Sequence, residues 1–487
     1  PVRQISGPEP GLKAVSPLSP RDTLDYSVFS AVSALTVLVL LAGAIVTAFR
    51  DDPAPEQSVE PAQRATASEN RDALSAALRS YAVVSDKRTP RLDIHTFGLP
   101  GAASLNSAIE EHVLSMIEES GGFAAHAAFD PVQTAPVHRW SATAFTPAQT
   151  SLDDAPPARV DPRAVNISTR VLASGGNFVV TAINAESPRQ QTRLLLTDLA
   201  HDRTVNARRL FAAPVDTAAI GADDTDTLTI DDEPVSDTDL SSIGDRVQKA
   251  LHISLQLPHP DDLRSPDFSC ALLPCVALTY DDGPGEAKSE RTILDAADEA
   301  NIRVTYFLLG KNTDSSPEVA ERIIAAGHEV DNHTFSHVRM DTTASAKIRK
   351  EIGRTDKSLQ SVGVKDEPLV RPPYGALDKR ASHVLGGPAI IWDVDTGDWQ
   401  HRDTKKTIRR VQSQTKPGSI VLMHSIHPST AKAAPAVFSA VADKGLYAVT
   451  VRELFSGIEL KQGGSYFCRG YSDELCPNPE HPAVMKN

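Results

Sequence analysis

Val276-Ala277-Leu278-Thr279-Tyr280-Asp281-Asp282-Gly283-Pro284 is a short apolar run that ends in two carboxylates and a turn. A run of this length, closed by Gly-Pro, predicts a buried strand. Side chains alternate along a strand, so neighbouring residues at its end point differently until the chain turns. Asp281 and Asp282 therefore do different work: one carboxylate can bind a metal while its neighbour acts as a base. Gly283-Pro284 enforces the turn that separates them.

The same design recurs towards the C-terminus. Apolar runs at 304–309, 329–331, 369–371, 389–393, 420–423 and 447–451 alternate with stretches of helical spacing at 289–300, a stretch ending at Gly327, 344–362, 379–385, 405–415 and 431–444. Strands and helices alternating at this interval predict parallel βα units. With 276–280 the strands number seven, which predicts a distorted (β/α) barrel, an open sheet being the alternative. In such folds chemistry gathers at the C-terminal ends of strands. Asp281, His333, Arg371, Asp395 and His424 all stand at or just past such ends.

His333-Thr334-Phe335-Ser336-His337 places two imidazoles four residues apart, on one helical turn or a tight loop. Two histidines and an aspartate make three protein ligands and leave a position open, the arrangement of a catalytic zinc site. Arg371-Pro372-Pro373-Tyr374 supplies a fixed positive charge that holds a carboxylate ionised and oriented. His424 follows the apolar Ile420-Val421-Leu422-Met423 and suits a proton donor near neutral pH. Asp395 is expected to pair with it, and Trp399 to form an apolar wall.

These motifs resemble those of the NodB-type polysaccharide deacetylases, carbohydrate esterase family four, over roughly Cys275 to Ser456. The resemblance implies that Asp281 is the catalytic base and that Asp282, His333 and His337 hold the metal. It further implies that Arg371 positions the base, that the Tyr374 backbone amide helps hold the oxyanion, that His424 is the acid and that Asp395 tunes it. Tyr374, Trp399 and Leu422 would contact substrate. Tyr280 and Ser425 depart from the commoner Phe and Asp without removing a chemical role. The implied reaction is hydrolysis of an N-acetyl group, with zinc as the first candidate metal and Co2+, Mn2+ or Ni2+ as others.

Outward from this domain, 487 residues exceed one ordinary domain. A net charge of -14 argues against a nucleic-acid partner. Val28 to Phe49 contains no charge and exceeds the roughly 20 residues that cross a bilayer, so it is expected to be a single-pass anchor following a cytoplasmic segment 1–27. Val46-Thr47-Ala48 would be the cleavage site if the segment were instead removed and the protein secreted. Residues 50–71, rich in Pro, Glu, Gln, Ser and Ala, are expected to be a flexible linker. Residues 72–258 are expected to form an α+β middle domain of unknown role, with helical spacing at 73–84, 103–120 and 240–253 and strands at 165–172, 177–184 and 191–199. Residues 259–487 hold the deacetylase-like domain.

All four cysteines lie beyond the apolar span, which favours disulfides, Cys270–Cys275 and Cys468–Cys476 being the simplest pairs. The whole chain is thus expected to be a membrane-anchored, extracytoplasmic enzyme acting on N-acetylglucosamine in the glycan strands of peptidoglycan. Chitin-like oligosaccharides, N-acetylmuramic acid and xylan are alternative substrates. An inactive wall-polysaccharide-binding or sensory protein is the alternative of a different class.

Overall fold

Thr66 opens the first helix among the described residues. Its hydroxyl accepts from the Glu69 N–H while the Glu69 carboxylate accepts from the Thr66 N–H, a capping box that starts the helix Ala67–Ala77. The structure, a computed structural model, describes residues 64–85, 91–120, 164–186, 190–260 and 263–469. The expected segment 1–27, the apolar span 28–49, residues 50–63 of the expected linker and Cys476 lie outside the described residues. Among the described residues no helix is long and apolar enough to cross a membrane.

Two expectations change here. Residues 67–71, read as linker, are already helical. The helix expected over 73–84 stops at Ala77, and Arg79–Ser85 is a strand. Leu78 turns extended, and burial then alternates from Tyr81 to Val83, so the period switches from that of a helix to that of a strand.

That strand, β1, begins a six-stranded sheet in the order β1 to β6, with β2 Arg91–Gly98, β3 Ala164–Gly175, β4 Phe178–Ala185, β5 Gln191–Asp198 and β6 Arg203–Asn206. Only the β2–β3 pairing is parallel. Both faces are covered. Val179 and Ile183 of β4 pack with Leu105, Ile109 and Val113 of the helix Ala103–Glu119. Val180 and Ala182, on the opposite face, pack with Leu210, Leu228 and Val247. A small antiparallel sheet, β7 Ile220–Ala222, β8 Leu228–Ile230 and β9 Glu233–Pro234, lies beyond.

The connection into the second half is pinned rather than loose. Tyr81 Oη donates to Asp267 at 2.7 Å, and the Ser269 hydroxyl donates to Glu110 at 2.6 Å. Phe268, Leu272 and Leu273 belong to the same apolar cluster as Val83 and Ile109. Cys270 and Cys275 form a disulfide, as one of the two simplest pairs anticipated. Cys468 is also disulfide-bonded.

The second half is α/β with a parallel sheet. β10 (Cys275–Asp281) is central and fully buried, as its unbroken apolar character requires. It pairs in parallel with β11 (Thr305–Leu308), which pairs with β12 (Glu329–Asn332). Asn332 bridges to Val370, and Val370 to Ala389 in β13 (Ala389–Ile390). Four residues on, β14 (Val394–Asp395) pairs with β15 (Ile420–His424), which returns to β10. Residues 389–395 thus link the two ends of the sheet, so pairing runs around a ring. The expected strand 369–371 is reduced to one bridging residue, Val370, and 389–393 is replaced by the two short pieces β13 and β14. β16 (Tyr447–Val449) lies beside the start of β10, and β17 (Ser465–Tyr466) beside β13.

Candidate active site

The register of the central strands places Asp281 opposite His424 across β10 and β15. Both leave the C-terminal ends of parallel strands, so their side chains meet over the same opening. Asp281 is 2% exposed. Arg371 is wholly buried, and its Nη1 donates to Asp281 Oδ1 at 2.7 Å and to Thr279 Oγ1 at 2.6 Å. Nε and Nη2 donate to the carbonyls of Ile390 and Ile391, and the guanidinium lies 4.0 Å from the Phe307 ring centroid. Every face of this buried cation is therefore engaged, as its burial demands. Burial pushes the Asp281 carboxyl above the ordinary carboxylate range, while the charges of Arg371 and His424 oppose it.

Asp282 points elsewhere, as alternation predicts. Its Oδ1 lies 3.5 Å from His333 Nε2 and 3.2 Å from His337 Nε2, and the ligand atoms of this trio lie within 4.8 Å of one another. His333 Nδ1 bonds the Arg371 carbonyl at 2.8 Å, which fixes the tautomer and leaves Nε2 bare. Burial lowers the His333 pKa to about 3, so the ring is neutral, as a metal ligand must be. Buried Asp282 Oδ1 has no hydrogen-bond partner among the described residues. A carboxylate oxygen in that position costs stability unless a cation meets it. The donor set fits a divalent ion with an open coordination position.

Left-handed backbone is concentrated here. Asp282 (φ 69°), Thr334 (φ 67°), His337 (φ 61°) and Tyr374 (φ 63°) are all non-glycine residues with positive φ. Such strain persists where surrounding bonds over-determine it. The Asn332 side chain accepts from the Thr334 N–H, and the Ser336 N–H and hydroxyl both donate to Glu351. The two histidines therefore sit on a tight loop, not a helical turn. Removing one of them, in His337→Ala, is expected to drop bound zinc well below one per chain. Elemental analysis after dialysis checks this, and full occupancy would contradict the ligand assignment.

His424 meets a different carboxylate from the one expected. Asp398 Oδ1 lies 2.9 Å from His424 Nδ1, and Asp398 Oδ2 accepts from the His424 N–H at 2.8 Å and the Thr430 hydroxyl at 2.6 Å. Asp395 is level with Leu422, two residues short of His424, and its carboxylate caps the Gly397 N–H at 2.7 Å. The partner of His424 is thus Asp398 rather than Asp395. Burial alone would lower the His424 pKa, but Asp398 outweighs it and, with Asp281 and Asp282, raises it to about 9.

The other expected contacts line the opening unequally. Tyr374 is 51% exposed, its ring 4.5 Å from that of His337. Trp399, 48% exposed, follows Asp398 directly. Leu422 is buried in β15, its carbonyl accepting from the Thr396 hydroxyl. His427, not placed from sequence, packs its ring 5.7 Å from that of His424.

Residues 271–386 match the sequence model of the family described as polysaccharide deacetylase. The chain is 32% identical over 192 residues to the peptidoglycan-N-acetylglucosamine deacetylase PgdA of Listeria monocytogenes, covering 39% of this chain and 41% of that one. It is 33% identical over 179 residues to the peptidoglycan-N-acetylmuramic acid deacetylase PdaC of Bacillus subtilis, covering 37% and 38%. The chain thus spans about two fifths of the length of these curated relatives. The solved structure of PdaC is similar at 32% identity and a TM-score of 0.36, with 37% of this chain and 90% of that chain covered. The C-terminal half of the chain thus contains a polysaccharide deacetylase domain of the NodB type, homologous to that of PgdA.

Proposed function

We propose that this chain is a metal-dependent hydrolase that removes acetyl groups from N-acetylglucosamine residues of cell-wall peptidoglycan. The observation that carries the reading is the division of labour between adjacent carboxylates. Asp282 faces two neutral imidazoles, whereas Asp281 is clamped by Arg371 and stands opposite His424.

A divalent ion held by Asp282, His333 and His337 would supply Lewis-acid polarisation of the substrate carbonyl. Asp281 takes a proton from the attacking water, with Arg371 fixing which carboxylate oxygen is free. Oδ1 is engaged by the guanidinium, so Oδ2, on the side of His333, is the basic atom. The Tyr374 backbone amide, presented by its left-handed turn, is assigned to the developing oxyanion. His424 Nδ1 is occupied by Asp398, so Nε2 gives its proton to the leaving amine. The products are the free amino sugar and acetate.

The relatives support a wall polymer, and the two names between them include both of its N-acetyl sugars. N-acetylglucosamine is our reading, with N-acetylmuramic acid, xylan and chitin-like oligomers as the alternatives a product analysis separates. The uncharged stretch 28–49 supports a membrane-held enzyme facing the wall. The ring of strand pairings supports describing the fold as a distorted barrel.

The zinc-loaded chain is expected to release acetate from purified peptidoglycan, to lose that activity with a chelator and to regain it on adding zinc. Mass analysis of digested fragments names the sugar. Chelator-insensitive release would refute the metal assignment, and acetyl loss confined to muramic acid would refute the choice of sugar.

A further inference from the structure

Glu290 is a buried acid that the chemistry above leaves unused. It stands in the first turn of the helix Ala287–Glu299 and is 1% exposed. Its Oε1 accepts from the Gly285 N–H at 2.7 Å, while the buried Oε2 has no hydrogen-bond partner among the described residues. Burial pushes the carboxyl above the ordinary carboxylate range, against the pull of Ser425, the Gly285 N–H and Tyr306. An apolar side chain would occupy this layer at less cost. The use of the carboxyl therefore lies in the one direct bond it makes, and that bond ends in the turn after Asp281 and Asp282.

Gly283 and Gly285 leave no room for side chains there. A Cβ on Gly283 would stand 2.8 Å from Ser425 Oγ and 3.2 Å from Glu290 Oε1. One on Gly285 would stand 2.9 Å from Ile426 Cα and 3.3 Å from Glu290 Oε1. The carboxyl is thus wedged between the turn that follows Asp282 and the segment that follows His424.

The other site groups are held from elsewhere. Arg371 clamps Asp281, the Arg371 carbonyl fixes His333, and Asp398 holds His424. Asp282 Oδ1 has no such support, and its backbone is left-handed at φ 69°. Its aim depends on how the turn is tied down. Asn312 Nδ2 donates to the Asp282 carbonyl at 2.7 Å, the Leu309 N–H donates to the Gly283 carbonyl at 2.9 Å, and Glu290 takes the Gly285 N–H.

We propose that Glu290 is a positioning residue for the metal site: by holding the Gly285 N–H it fastens the turn and keeps Asp282 aimed at His333 and His337. The proposal rests on the metal-dependent reading and adds to it a group that touches neither metal nor substrate.

Zinc affinity of the full chain, measured by competition with a chromophoric chelator, tests this apart from activity. Glu290→Met keeps the length of the side chain without its acceptor. It is expected to weaken zinc binding roughly 10-fold, the low end of the loss when a group supporting a ligand is removed. Glu290→Gln still offers an oxygen to Gly285 and should recover most of that affinity. The metal-free melting temperature of Glu290→Met should stay level or rise, because an apolar group replaces a buried carboxyl. Glu290→Leu makes the same comparison if the methionine variant does not fold. Unchanged zinc affinity in the apolar variant, or an equal loss in Glu290→Gln, would overturn the proposal. A melting temperature that falls in step with affinity would show a merely structural role and overturn it too. A wild-type chain without zinc affinity would instead overturn the metal reading, and this proposal with it.

Discussion

Asp281→Asn is expected to lower kcat for acetate release by about 10²–10⁴-fold, the contribution of a positioned general base, while bound zinc stays unchanged. The carboxylate is not among the atoms gathered around Asp282 Oδ1, so its loss leaves the metal cradle intact. Asparagine can still accept from Arg371 Nη1 where Asp281 Oδ1 does so at 2.7 Å. What vanishes is the second, basic oxygen and the negative charge. Arg371 is wholly buried, and stripping a buried ion of its partner costs about 3–5 kcal/mol in the worst case. The amide oxygen and the carbonyls of Ile390 and Ile391 soften that penalty. Rates should therefore be compared below the melting temperature of the variant, which will lie under that of the parent. Zinc content together with kcat reads the two roles separately. If zinc fell with activity, Asp281 would be a ligand and the division between the carboxylates would be wrong.

The contrast between Asp281 and Asp398 shows what a sequence can convey about such a site. Asp281 ends an apolar run, and strand alternation alone separates it from Asp282. The strand-end rule also locates His333, Arg371 and His424 correctly at one opening, because their positions depend only on local period and chain order. Asp395 obeys the same rule, yet it is not the partner of His424. The chain continues past the strand end, turns left-handed at Gly397 (φ 64°) and starts a helix at Asp398, three residues on. That turn swings the later carboxylate behind the His424 ring. Spacing does not encode such a turn, since the deciding contacts come from Thr430 and the His424 backbone.

Other losses share this cause. The loop carrying His333 and His337 takes its shape from Glu351 and Asn332, which no local pattern ties to it. At the start of the fold the opposite holds. Thr66 and Glu69 spell a capping box that the Pro- and Gln-rich composition around them conceals. The strand Arg79–Ser85 is hidden because Ala and Val fit either period until β2 pairs with it.

Asp398→Asn is expected to lower kcat/KM at neutral pH by about 10²-fold or more and to move the alkaline limb of the pH profile downward, on the scale of general acid catalysis. The sign follows from His424. Its folded value of about 9 lies above the ordinary histidine value of 6.5, so the ring is protonated throughout the neutral range and loses its proton only as pH passes about 9. The wild-type profile should therefore fall near pH 9, where the acid disappears. Without the Asp398 charge, burial becomes the dominant influence on His424 and drives its pKa down. The same linkage appears in stability. The His424 contribution is full below its unfolded value and is lost as pH rises through about 9. Asp398, whose pKa is depressed because hydrogen bonds from His424 and Thr430 outweigh burial, contributes above its unfolded value and loses that contribution in acid. The variant should accordingly lose stability most in the mildly acidic range between the ordinary values of the two groups, 3.8 and 6.5, where both contributions are full. Thermal melts and kcat/KM measured from pH 5 to pH 10 test both halves. Asp395→Asn is the control: its carboxylate only caps Gly397, so the alkaline limb should stay where it is. A limb that moves in Asp395→Asn but not in Asp398→Asn would restore Asp395 as the residue that tunes the acid.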